Sequence, residues 1–171
     1  MLINQLENLE KHRITTFSEL ENLSIEQLNK KINNNWSINE HLYHLWLAET
    51  STEKYIITKT KYPDFIKDMN LFVYFRTISL RFFLMLGVKV NAPVATTTFP
   101  EKIDLKELEK NWTISRKSFK KLIEKLKNKN LDRKAVFRHP LMGRINLKLT
   151  LYFFNFHFKH HQKVINSLKN K

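Results

Sequence analysis

Residues 146–169 read NLKLTLYFFNFHFKHHQKVINSLK. Leu151, Phe154, Phe158, His161, Ile165 and Leu168 recur there at three- and four-residue steps, so they share one face of a helix that Asn146 can cap. His157 stands one turn before His161. Two imidazoles four residues apart on a helix point from one face toward a common point, the spacing that lets both bind one metal ion. His160 lies about 60° around the helix from His157 and about 100° from His161, so it does not join both on one ion.

A second stretch, residues 36–49, WSINEHLYHLWLAE, supplies further imidazoles. Ser37 followed by Glu40 forms a capping-box pattern, and Ile38, His41, Leu42, Leu45 and Ala48 recur behind it at helical steps, predicting a helix from Ser37 to Thr60. A lone histidine among apolar residues is ordinarily a hydrogen-bonded core residue. Opposite the His157/His161 pair, however, either His41 or His44 can complete a three-imidazole site with positions open to water or substrate, the arrangement of catalytic metal centres. His12 and His139 stand apart and read as structural. Glu40 and Glu49 read as parts of a solvated helix face.

The remaining chain is also helical in pattern. Leu2, Leu6, Leu9, Ile14, Phe17 and Leu20 give an amphipathic first helix, Ser24 with Gln27 opens a short turn, and Asn33, Asn34 and Asn35 mark a break. Residues 68–86 predict a third, very hydrophobic helix whose Phe72, Tyr74, Phe75, Phe82 and Phe83 read as core, ended by Gly87. Residues 88–103, with two prolines, read as an extended loop. Asp104 with Glu107 caps a helix that buries Leu105, Leu108, Trp112, Phe119, Leu122, Ile123 and Leu126 and turns Lys106, Lys110, Lys117, Lys120 and Lys121 outward. Residues around Pro140 and Gly143 read as a connection. The expected fold is all-α, an antiparallel bundle of four long helices in one domain over residues 1–171.

Composition narrows the function. The chain has 171 residues, enough to bury a core without disulfides, and no cysteine. Its first residues lack the order of a secretory signal, and no apolar run reaches the roughly 20 residues that span a bilayer, so a soluble cytoplasmic protein without membrane attachment is expected. The two glycines, Gly87 and Gly143, cannot build a phosphate loop or a dinucleotide fingerprint, which excludes enzymes of those types. The net charge of +14 arises entirely after residue 85. Such a field attracts nucleic acid, an anionic surface or an anionic small molecule, although interspersed lysine ordinarily serves solubility. No Ser-His-Asp order, paired carboxylates or cysteine nucleophile stands out.

WSINEHLYHL resembles the W-S-x-x-E-x-L-x-H-L signature of the DinB/YfiT-like superfamily, and HPLMGRINLKLTLYFFNFHFKHHQKVI resembles its HP-x-x-G-x-x-T/N and H-x-x-x-H ending. The resemblance implies a four-helix bundle with a crossover connection and one divalent ion, commonly zinc or nickel, held by His44, His157 and His161, with His41 outside the ligand set. It also implies a metal-dependent thiol-S-transferase using a low-molecular-weight thiol such as bacillithiol or mycothiol, or a related isomerase or hydrolase, often as a homodimer. No catalytic residue beyond the metal ligands, and no thiol-binding residue, can be named from it. Where the family often has glutamine three residues after the last histidine, this chain has Val164. On this reading the ion activates a thiol or water against a small, possibly anionic substrate. The competing reading is a non-enzymatic basic bundle that binds nucleic acid or another polyanion; a third is a structural metal protein whose site is closed to substrate.

Overall fold

A computed structural model describes residues 2–88 and 93–170. The chain is predominantly α-helical: α1 (Leu2–Leu20), α2 (Ile25–Asn29), α3 (Ile38–Lys59), α4 (Phe72–Met85), α5 (Leu105–Asn128) and α6 (Leu147–Lys169), with β1 (Phe137–His139) and β2 (Gly143–Ile145) between the last two helices. Each helix start foreseen from a capping residue is made by that residue. Ser24 and Ser37 form complete capping boxes with Gln27 and Glu40, Asp104 accepts from the Glu107 amide, and Asn146 accepts from the Leu149 amide. These side chains satisfy amide groups that the first helical turn leaves without partners.

The four long helices close a ring of contacts in which α1 packs on α6, α6 on α3, α3 on α5 and α5 on α1. Trp112, Phe158, Leu9, Leu42, Leu45 and Ile123 fill its interior with almost no exposure. A polar network also crosses that interior. Arg116 Nη2 lies 2.7 Å from Glu49 Oε1, and its Nε donates to Glu49 Oε2 at 2.8 Å. Trp112 Nε1 donates to the same carboxylate at 2.9 Å, and Arg13 on α1 pairs with Glu10 at 2.6 Å. The Arg13 side chain therefore takes the inward position expected for Ile14, which is 52% exposed. Position 13 continues the three- and four-residue steps from Leu6 and Leu9, and position 14 does not.

Residues 60–104 join α3 to α5 and carry α4, which packs on α6 and on β2. Only Val73, Thr77, Leu80 and Leu84 of α4 are buried. Phe72, Tyr74, Phe75, Phe82 and Phe83 are all at least 42% exposed, which overturns their reading as core. The helix presents one narrow stripe to the protein and leaves its other faces, apolar as well, largely exposed, with Arg81 reaching the Tyr152 ring of α6 along one edge. Gly87 does end this helix, at φ +76°. Positions 89–92 of the expected loop lie outside the described residues, and residues 94–96 form a single 3₁₀ turn.

The segment read as a plain connection folds into a hairpin. β1 and β2 pair antiparallel with Phe137 opposite Ile145 and His139 opposite Gly143, so Pro140, Leu141 and Met142 form a three-residue loop. Gly143 has φ +87°, a left-handed conformation that such a hairpin requires and that glycine adopts without strain. Among the described residues no helix is long and apolar enough to cross a membrane.

The two sides of α4 should respond differently to truncation. Leu80→Ala is expected to lower the unfolding free energy by about 2 kcal/mol, whereas Ile78→Ala, on the open side, is expected to change it by less than about 0.5 kcal/mol. Urea unfolding of both variants checks this, and equal losses would mean that the outer face of α4 is covered.

Candidate metal centre

Helices α3 and α6 pack directly against each other. His41, His44 and Leu45 lie on the buried side of α3, and His161 lies with Phe158 and Ile165 on the buried side of α6. The result is a cluster of imidazoles at one helix contact. His44, His157 and His161 each offer one ring nitrogen, and these three atoms lie within 4.8 Å of one another. His157 Nε2 is 3.2 Å from His44 Nε2 and 3.0 Å from His161 Nε2. Nitrogens bound to one tetrahedral zinc at roughly 2.0–2.1 Å lie about 3.3 Å apart, so the three can hold a metal ion with little movement.

Hydrogen bonds on the far sides of the rings set which nitrogen faces inward. His44 Nδ1 is 2.8 Å from the Thr96 carbonyl, which can only accept, so Nδ1 carries the proton and Nε2 presents a lone pair. His161 Nδ1 is 2.8 Å from His41 Nδ1. His41 thus stands behind His161, and when His161 uses Nε2 as a ligand its Nδ1–H can donate to His41. His160 turns elsewhere: its Nδ1 donates to the Leu84 carbonyl at 3.0 Å and ties α6 to the last turn of α4. Gln162, near the position where the family often has glutamine, donates to Thr16 Oγ1 on α1 at 3.3 Å.

Aromatic rings enclose the cluster. Trp36 lies with its ring centre 5.0 Å from His44 and 5.4 Å from His41, and it is nearly parallel to His161. Phe99 meets the Trp36 ring edge-on at 5.2 Å, and the Ile103 carbonyl accepts from Asn39 Nδ2. These contacts hold the segment after the 3₁₀ turn against α3 and so place the Thr96 carbonyl behind His44. On the other side Phe153 stacks on His157 with ring centres 4.9 Å apart.

This enclosure keeps the histidines neutral. Burial pushes His161 and His157 well below the ordinary value, reinforced by the neighbouring imidazoles, even though His157 keeps part of its surface open to the adjoining cavity. Burial also lowers His44, against the opposing effect of the Thr96 bond, and brings His41 from 6.5 to about 4. Neutral imidazoles offer lone pairs without competition from protons, which is what metal ligation needs.

A cavity of about 450 Å³ opens beside the three histidines, with Ala48, Leu80, Leu84, Phe137 and Phe153 in its walls. The lysines of the α5 outer face do not line it. His139 does; it is buried, and its Nδ1 accepts from the Leu141 and Met142 amides at 3.2 Å each, which organises the hairpin loop. That agrees with a structural role and places the ring at the cavity as well. Glu40 and Glu49, by contrast, do not belong to a solvated face. Glu40 is buried in the Ser37 capping box and pairs with Lys31, and Glu49 is held by Arg116 and Trp112. The sequence pattern marks no role for Trp36, Phe153 or the Thr96 carbonyl. The tryptophan stood in view within the first motif, but a backbone carbonyl leaves no mark on a side-chain pattern.

Burial alone lowers His139 from 6.5 to about 4. Its folded pKa lies below its unfolded one, so its contribution to stability is complete above pH 6.5 and is lost as the pH falls toward 4. The loss amounts to roughly 3 kcal/mol. His139→Gln should therefore show a shallower fall in unfolding free energy over that window than the parent chain, with metal removed from both. Parallel curves would contradict the assignment.

Comparison with curated proteins and with solved structures finds no match. A family model described as the DinB superfamily matches residues 8–165. That span contains all of α2 to α5, the hairpin, and the histidines of both α3 and α6. The chain belongs to the DinB superfamily.

Proposed function

We propose that this chain is a metal-dependent enzyme, a thiol-S-transferase or hydrolase, in which His44, His157 and His161 hold one divalent ion. The observation that carries the reading is the convergence of three Nε2 atoms with the His44 lone pair fixed inward by the Thr96 carbonyl. Zinc or nickel suits a set of three neutral imidazoles. When bound, such an ion lowers the pKa of a coordinated water or thiol and supplies a nucleophile at neutral pH. The residues around it have separate tasks. His41 orients His161, Trp36 and Phe153 cover the imidazoles and keep bulk water from them, and the cavity admits a small molecule to the open side. A low-molecular-weight thiol as co-substrate, a cytoplasmic location and a homodimer rest on the resemblance and belong to the same reading. So do a single domain over residues 1–171 and an antiparallel four-helix bundle with a crossover; the ring of contacts among α1, α6, α3 and α5 supports the bundle.

A second reading takes the exposed lysines of α5, Lys106, Lys110, Lys117, Lys120 and Lys121, as a site for nucleic acid or another polyanion without catalysis. Polyanion binding that weakens steeply with salt, and equally with and without chelator, would favour it.

Elemental analysis of tag-free protein purified without chelator is expected to find about one divalent ion per chain. His157→Ala should lose it while keeping the helical circular dichroism, and His41→Phe should retain it with affinity reduced roughly 10- to 100-fold. The metal-loaded protein should transfer a thiol or hydrolyse activated esters faster than the stripped protein. An undiminished ion content in His157→Ala would overturn the ligand assignment.

A further inference from the structure

The charge of the chain and the chemistry of its cavity point to different ligands. The excess of basic residues would draw an anion, yet among the described residues no lysine lines the cavity beside the three histidines. Among the described residues Arg138 is the one arginine in its lining. It is the exposed middle residue of β1, between the half-buried Phe137 and the buried His139. Its exposure sets it at the solvent-facing rim rather than among the buried walls. Among the described residues no aspartate or glutamate lines the space either.

What remains is largely carbon. Ala48, Leu80, Leu84, Phe137, Leu141 and Phe153 supply the apolar walls. The neutral polar groups are few. Thr52 and Thr96 spend their hydroxyls on the carbonyls of Ala48 and Pro93, which leaves Ser51, Tyr55, Trp36 and the imidazoles to face a ligand. Away from the three histidines, where a bound ion would hold one reactive atom, a charged group brought among these apolar walls loses its water and gains little in return, a cost that an apolar group does not bear. An apolar body of matching size gains from leaving water along the whole wall.

We infer that the cavity takes an uncharged, largely apolar small molecule, seated against Ala48, Leu80, Leu84 and Phe153 with one polar or reactive atom turned toward His44, His157 and His161. The direction of that reactive atom rests on the metal reading above; the ligand class rests on the walls alone. The substrate is thus selected by shape and apolar surface, and the lysines of α5 take no part in its recognition.

The test titrates 1-octanol, octanoate and octylammonium into the chelated protein by calorimetry, with folding checked by circular dichroism. Octanol is expected to bind at least tenfold more tightly than either ion, although octanoate carries the charge the whole chain attracts. Ala48→Trp, which fills the cavity, should weaken octanol at least tenfold; if that variant does not fold, Leu141→Trp at the exposed rim serves in its place with the same expectation. Octanoate binding as tightly as octanol, no octanol binding, or octanol binding unchanged in the filled variant would overturn the inference. Because the probes are titrated without metal, these failures are distinct from failure of the metal reading, which shows only in ion content.

Discussion

Three imidazole nitrogens gathered around one point repel one another unless a proton or a cation lies between them, and that constraint governs this site. The Thr96 carbonyl commits the proton of His44 to Nδ1, so its Nε2 brings a lone pair to the point where His157 and His161 also converge. Burial then keeps all three rings from gaining a second proton. A divalent ion satisfies all three lone pairs together, whereas one proton can bridge only a single pair of nitrogens at a time. The three rings can therefore take an ion without first losing a proton.

That readiness depends on rigidity built elsewhere in the molecule. Glu49 lies five residues beyond His44 on the same helix and is held by Arg116 and Trp112 of α5, which fixes α3 against α5 below the histidines. Removing Arg116 would leave the part-buried Glu49 carboxylate without a cation beside it, a loss of up to about 3 kcal/mol in comparable cases. At the other end, the capping box of Ser37 and Glu40 sets where α3 begins, one turn before His41. Phe99 and Asn39 bind the segment that carries Thr96. The polar network and the apolar core therefore serve the site by fixing where two helices and one loop meet.

Much of this could be read from the sequence because the signals were local. Capping residues declare themselves within four positions, and the His157/His161 spacing is a property of one helix. The partner on α3 was harder: spacing left His41 and His44 equal, and the family resemblance singled out His44. The geometry gives each a different place, His44 in the converging triad and His41 behind His161. The exposed side of α4 was not readable, since periodicity reveals a helix but a nearly continuous apolar run does not say which face finds a neighbour. The hairpin escaped because three-residue strands are too short to show alternation. The pattern points to Ile14 rather than Arg13 because an inward arginine needs a partner, and that partner, Glu10, is an ordinary surface residue in the sequence.

The most direct test of the central claim is X-ray absorption spectroscopy of the metal-loaded protein beside its His44→Ala variant. The expected result is a first shell of nitrogen and oxygen near 2.0–2.1 Å for zinc, with multiple-scattering features of three imidazoles in the parent and two or none in the variant. A shell with fewer than three imidazoles in the parent, or one that the substitution leaves unchanged, would contradict the three-histidine centre.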